Sequence, residues 1–297
     1  MNYMLQKKSR YIQERRLAYF LISPALLYLL ATMLIPLLWA FGISFTDKMV
    51  GSTPHFIGLG NYIEVIKDNV FWRAVINTIV FTIFAVGFKV VLGTILALVL
   101  NEPIRGRNIY RALLLIPWTI SNVVAVLTWQ WLYSDVGGVL NYILMSLNLI
   151  DKPVGWLAGP SIAMFSIVLV NVWKGMPFLA LTILSGLQTI SEDLYEAAKI
   201  DGANTIQRFF NITLPGIKNV LIIGTLVTTI WTLNNFESVW LLTGGGPLNS
   251  TQIFSTLSYS YAFQSLNIGK GITVSIIVFP FILMLVQAAT KQTLQSE

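Results

Sequence analysis

The chain has no cysteine and a single histidine, His55. Those absences exclude a disulfide framework, a thiolate metal site, a cysteine nucleophile and any paired-histidine chemistry. Charge is scarce as well. Only 11% of the 297 residues are Asp, Glu, Lys or Arg, against about 25% in a soluble domain. Hydrophobic residues make up 55%, so the chain requires a solvent other than water. A formal net charge of +6 does not amount to a nucleic-acid footprint, because the basic residues flank apolar runs instead of forming a patch, as they do in membrane proteins. No Gly-x-x-x-x-Gly-Lys-Ser/Thr phosphate loop occurs. Internal repeats and low-complexity segments are absent too.

What is present is a series of long apolar runs. A membrane span takes roughly 20 apolar residues, from about 30 Å of hydrocarbon at about 1.5 Å per residue. No charge interrupts Arg16 to Asp47, Arg111 to Asp135, or Lys218 to Glu237. Lys89 alone interrupts Arg73 to Glu102, Lys174 alone interrupts Lys152 to Glu192, and Lys270 to Lys291 closes the series. These runs predict an all-α polytopic membrane protein with six transmembrane helices at about 17–45, 74–100, 110–133, 161–188, 217–243 and 271–291. The first run is too long for a signal core of about 7–15 residues and no small-x-small cleavage site follows it, so it reads as a retained anchor.

Lysine and arginine set the orientation. With the N-terminus inside, the inner segments hold Lys7, Lys8, Arg10, Arg15, Arg16, Arg105, Arg107, Arg111, Lys199, Arg208, Lys218 and Lys291, and the outer ones only Lys48, Lys67, Arg73, Lys152 and Lys270. Both termini are therefore expected on the cytoplasmic side. The expected organisation is a cytoplasmic tail over 1–16, a first helix over 17–45, an extracytoplasmic loop over 46–73, a helical core over 74–291 and a cytoplasmic tail over 292–297. The outer loops at 46–73 and 134–160 have room for short interfacial helices only.

Within the core, the inner loop at about 189–216 has a pattern of its own. Ser191 reads as an N-cap, with Glu192 and Asp193 suited to a first turn. Gly202 is placed to end that helix in the left-handed conformation. Asn204 and Gln207 form a capping-box pattern for a second short helix, which Pro215 is expected to end. Ala197 and Ala198 keep one face thin, while Phe209, Phe210 and Ile212 supply apolar surface. By these residues alone the loop is either a docking element or an amphipathic linker lying on lipid.

The residues Glu196, Ala197, Ala198, Gly202, Ile212, Leu214 and Pro215 resemble, in identity and spacing, the EAA loop of binding-protein-dependent ABC importer permeases. Further segments carry the same resemblance: Arg111 to Trp118 at the start of the third helix, Asn171 to Phe178 on the fourth, and Leu242 to Pro247 after the fifth. They are similar to the carbohydrate-uptake branch, like the maltose and glycerol-phosphate permease subunits, without the maltose subunit's large periplasmic domain. The resemblance implies a six-helix permease in a prokaryotic inner membrane. It implies a partner permease in a heterodimer, two ATP-binding cassette subunits that hold the ATP and Mg, and an extracytoplasmic binding protein that delivers a saccharide; no cofactor is expected on this chain. The EAA loop would be a coupling helix, with Glu196, Ala197, Ala198, Asp201, Gly202 and Ala203 at the ATPase contact.

Polar residues inside spans default to functional hypotheses. Asn171 and Lys174 are three apart, on one side of a helix, and so are Asn234 and Glu237. The resemblance places sugar contacts at Asn171, Lys174, Gly175 and Phe178 on the fourth helix and at Asn234 and Glu237 on the fifth. Asn122 and Trp129 on the third complete the candidate set. Lys174 and Glu237 depart from the uncharged residues of the maltose subunit. Alternatively they form a structural ion pair, and the asparagines bond between helices. Gly175 and Pro177 imply an irregular fourth helix. Lys89 either faces a partner, lines the cavity or snorkels. Most of the nine Trp residues read as interface anchors, Trp118, Trp129 and Trp173 lying deeper. The Gly244 to Pro247 run reads as a tight outer turn. An ion- or proton-coupled carrier would explain the buried charges but not the EAA pattern. An intramembrane enzyme has no clustered acids or nucleophile to use.

Overall fold

The computed structural model describes residues 2–294. Among them the architecture is helical throughout, with only isolated bridges joining Thr46 to Phe56 and Met49 to Asn267. The first helix runs as α1 (Asn2–Leu29), a wide turn over Leu30–Leu34, and α2 (Ile35–Ser44). Its apolar side chains from Leu17 to Phe41 face outward, and it meets the rest of the protein through α2. A short helix, α3 (Gly60–Lys67), leads into the long α4 (Asn69–Asn101), whose first turn is capped by the Asp68 carboxylate accepting from Val70 N–H at 2.8 Å. After α4 come α5 (Arg107–Thr119), α6 (Asn122–Leu132) and the short α7 (Val139–Ser146). The long α8 (Pro160–Leu187) packs along α4.

The segment between α8 and the next span folds as α9 (Glu192–Ile200) and α10 (Thr205–Arg208), continues through a wide turn at Phe209–Thr213, and ends in α11 (Leu214–Gly216). Pro215 does not end the second short helix; it sits at the start of α11, where a missing N–H costs nothing, and the chain turns at Ile217 instead. Next come α12 (Lys218–Leu233) and α13 (Glu237–Thr243). A helical connection that the apolar pattern does not signal follows, α14 (Phe254–Tyr259) with a wide turn at Ser260–Gln264, before α15 (Ile268–Leu294).

Among the described residues four helices are long and apolar enough to cross a membrane, over Arg15–Ser44, Asn69–Asn101, Pro160–Leu187 and Ile268–Ala288. The count reaches six if each bent pair is one span: α5 with α6, bent by 91°, and Thr205–Gly216 with α12, bent by 69°. The expected run 110–133 is thus two helices, broken at Ile120 and Ser121, which are extended (ψ 140° and 138°). The expected run 217–243 is broken at Asn234–Phe236. The fourth span shows the reverse. Despite Gly175 and Pro177, α8 is unbroken, because α4, α5 and α12 pack against it and hold the turn that Pro177 cannot bond.

The buried apolar residues form three clusters, two of which are layers with a polar layer between. One holds Phe81, Ala85, Val126, Tyr133, Ile167, Val170 and Val239. The other holds Ala97, Leu100, Leu179, Ile183, Leu187 and Ile217. Close approach of α12 to α8 in the second layer needs Gly224, where a Cβ would lie 2.7 Å from Leu179 Cδ1. Such packing, not hydrophobic transfer, holds helices together in lipid.

Candidate functional site

Between the two apolar layers lies a cavity of about 140 Å³, lined by Lys89, Trp118, Asn122, Asn171, Lys174, Gly175, Thr228, Trp231, Asn235 and Ser238. Four sequence candidates meet there: Asn122 from α6 and Asn171, Lys174 and Gly175 from α8. Four others do not line it. Phe178 is one turn away, its ring 6.1 Å from Trp118 and 4.7 Å from Trp231, so it backs the two aromatic walls. Trp129 packs in the apolar layer, 5.3 Å from Tyr133 and 5.5 Å from Trp173. Asn234 turns its amide back to Ile230 O at 3.0 Å. Glu237 reaches the site only through Asn122, whose side-chain N–H donates to the Glu237 carboxylate.

Lys174 and Glu237 are not among the ion pairs of the described residues. Lys174 Nζ donates to the carbonyls of Ile120 at 2.6 Å and Pro117 at 3.3 Å. These are carbonyls that the break between α5 and α6 leaves without a next helical turn, and irregular backbone at membrane depth persists only where something satisfies it. A lysine from α8 therefore holds the break in the third span, and a carboxylate at the break in the fifth holds Asn122, the first residue of α6. A second tie, Gln130 Nε2 to Leu241 O at 3.1 Å, joins α6 to α13 further along.

Lys89, unassigned by sequence, is buried at 3% exposure and donates to Thr232 Oγ1 at 3.0 Å. Gly175 makes room for it: a Cβ there would lie 2.7 Å from Lys89 Cε. Asn171, 7% exposed, has an Oδ1 with no hydrogen-bond partner, an acceptor held ready in the wall. Sequence reasoning missed Thr228, Trp231, Asn235 and Ser238 as lining residues. The breaks fall beside Pro117 and Ser121-Asn122 in the third span and at the Asn234-Asn235 pair in the fifth, local features that the length of an apolar run does not register.

The loop element is built as its residues require. Ser191 Oγ accepts from Asp193 N–H at 3.3 Å, and Gly202 takes φ +78° after α9. Asn204 and Gln207 exchange the two bonds of a capping box. Tyr195 hydroxyl meets Thr213 Oγ1 at 2.9 Å and ties α9 to the wide turn. Glu196, Ala197, Asp201 and Gly202 are exposed. So are Leu194, Ile200 and Ile206, with Ile200 at 85% and Ile206 at 70%. Among the described residues no group of His, Asp and Glu is placed to hold a metal ion.

A polar cavity at membrane depth, walled by two interrupted spans and joined to an exposed helix-turn-helix, defines a membrane transport subunit. The chain belongs to the family of binding-protein-dependent transport system inner membrane components, whose family model matches residues 89–292. It is therefore an inner-membrane permease component of an ABC transporter, and a transport subunit, not an enzyme. It is 39% identical to the trehalose/maltose transport system permease protein MalF of Thermococcus litoralis, over 94% of each chain. It is 34% identical to the sulfoquinovosyl glycerol transport system permease protein SmoG of Agrobacterium fabrum, over 90% of this chain and 86% of that one. The fold is that of a subunit of a bacterial ABC transporter involved in the import of the acidic polysaccharide alginate, with a TM-score of 0.81 at 23% identity, over 97% of this chain and 99% of that one.

Proposed function

We propose that this chain is one permease subunit of an ATP-driven importer of a sugar or oligosaccharide. It forms half of the translocation path beside a different second permease. The observation that carries the reading is the pairing of a membrane-depth polar cavity with an exposed coupling element on one chain. Asn171, Lys174, Gly175 and Asn122 contribute to the solute site, with Phe178 backing its aromatic side, Trp129 in the apolar layer next to it, and Asn234 and Glu237 at the break that shapes it. Sugars are bound by planar aromatic faces and amide groups together, and the wall of Trp118, Trp231, Asn122 and Asn171 supplies both.

On this reading Glu196, Ala197, Ala198, Asp201, Gly202 and Ala203 dock in a groove of a separate ATPase. Leu194, Ile200 and Ile206, which water does not favour as exposed residues, supply the apolar contact. ATP and Mg reside on two such ATPases, and this chain binds no cofactor. An extracytoplasmic binding protein hands the solute to the cavity; no nucleic acid is involved. Closure of the ATPases pushes α9 and opens the cavity outward, and hydrolysis returns it inward. Both termini and the coupling element lie on the cytoplasmic side of a prokaryotic inner membrane, as the lysine and arginine bias requires. Since the chain has no cysteine of its own, Ala197→Cys gives a clean probe. An impermeant maleimide should label it in inside-out vesicles and not in right-side-out ones, and it should cross-link to the ATPase subunit. Labelling from the outer side contradicts the assignment.

A further inference from the structure

The cavity carries more positive charge than the protein around it answers. Lys89 and Lys174 both line it, and no carboxylate does. Glu237, one layer back, offers a single carboxylate against the two ammonium groups, and that carboxylate accepts from Asn122. The ion pairs among the described residues, His55 with Asp47 and Lys270 with Asp68, lie elsewhere. Lys174 spends its donors on two backbone carbonyls, which satisfy hydrogen bonds without neutralising charge. Lys89, more deeply buried, has one acceptor, Thr232 Oγ1, for its three N–H donors. A desolvated ammonium without a counter-charge is costly, and a lysine within a span that no carboxylate of the described residues contacts points to a ligand. Beside it, the buried Asn171 Oδ1 is an acceptor with nothing to accept.

We propose that the solute seated here is an acidic saccharide, whose oxyanion lies between the Lys89 and Lys174 ammonium groups while a hydroxyl donates to Asn171 Oδ1. Lys89 is then the residue that sets the preference for acid over neutral sugar, and Gly175 is small so that Lys89 can reach the cavity. The inference rests on the saccharide reading above and adds the charge of the substrate.

The test is binding to the detergent-purified transporter, this chain assembled with its partner permease and ATPases and with the binding protein left out. Two probes are compared by calorimetry: maltose, and maltose oxidised at one C6 to the carboxylate. The acidic sugar should bind at least tenfold tighter. Lys89→Met should remove that preference and Lys89→Arg should keep it, with assembly of each variant checked by gel filtration. Equal affinity for the two sugars, or a preference unchanged in Lys89→Met, overturns the proposal and leaves the saccharide reading standing. Binding of neither sugar contradicts both. Should Lys89→Met fail to assemble, the wild-type comparison still decides, because a neutral sugar bound as tightly as the acidic one is sufficient to reject the idea.

Discussion

Lys174 sits in the fourth span and bonds to the third. Its ammonium group takes the place of the backbone donors that α6 withdrew by starting at a new angle. Charge-assisted hydrogen bonds of this kind are worth about 1.5–3 kcal/mol each, so Lys174→Met should loosen the break around Ile120 and Ser121 and lower transport by at least tenfold. Because Lys174 bonds to backbone carbonyls and makes no ion-pair contact with Glu237, Glu237→Gln should give no rescue in the double variant. Uptake assays with hydrogen exchange over residues 117–122 check both points, and recovery in the double variant would restore the ion-pair alternative. Gly202 makes a different demand. A side chain there would meet open space but would hold a left-handed backbone, at about 1–2 kcal/mol for an L-residue. Gly202→Val should displace α9 from the α10 side and abolish coupled transport while the subunits still assemble. Normal uptake at normal expression would count against a coupling role for this turn.

At the scale of elements, the fourth span was legible almost in full, because apolar length fixes where a helix can cross. The breaks in the third and fifth spans were not. A hydropathy run measures only how much apolar surface a segment carries, and both halves of a bent span carry enough. What breaks them is local: extended backbone at Ile120 and Ser121, and a three-residue interruption after Leu233. The lining set followed the same division. Asn171 and Lys174 share one helix face and could be placed by spacing, and Gly175 beside them by the family resemblance, whereas Lys89, Trp231 and Ser238 join them only through packing between helices. Lys89 is the clearest case, since its path to the cavity depends on the absence of a Cβ at Gly175 on another helix.

The helix between the fifth and sixth spans is tied to the start of the second by Asp68. Tyr261 hydroxyl donates to the Asp68 carboxylate, Lys270 Nζ lies 3.5 Å from it and 4.4 Å from the Tyr261 ring centroid. Burial pushes the Asp68 carboxyl up, but the bonds from Tyr261 and Val70 N–H and the Lys270 charge outweigh it and hold the group below its usual value of 3.8. A carboxyl lowered on folding contributes stability above its unfolded value and loses it as pH falls through the folded one. Acidification from neutral to below about 3.8 should therefore free the Phe254–Gln264 segment, and Asp68→Asn should show that freedom already at neutral pH. Hydrogen exchange of that segment against pH is the measurement; identical profiles for variant and wild type would show that Asp68 is not the tie.

Taken whole, the molecule is not self-sufficient in the membrane. Its first helix, from Arg15 to Ser44, presents apolar residues on nearly every side, the coupling element exposes Ile200 and Ile206, and no phosphate-binding loop exists to drive a cycle. On the proposed function each of these is answered by another component: lipid and a second permease, an ATPase, and the nucleotide that the ATPase would hold. The most direct test is uptake into proteoliposomes. The chain reconstituted with its partner permease, ATPases and saccharide-loaded binding protein should accumulate the saccharide only when ATP is enclosed with the ATPases, and the chain reconstituted alone should accumulate none. Uptake by the chain alone, driven by a proton or sodium gradient without ATP, would contradict the account and make it a secondary carrier.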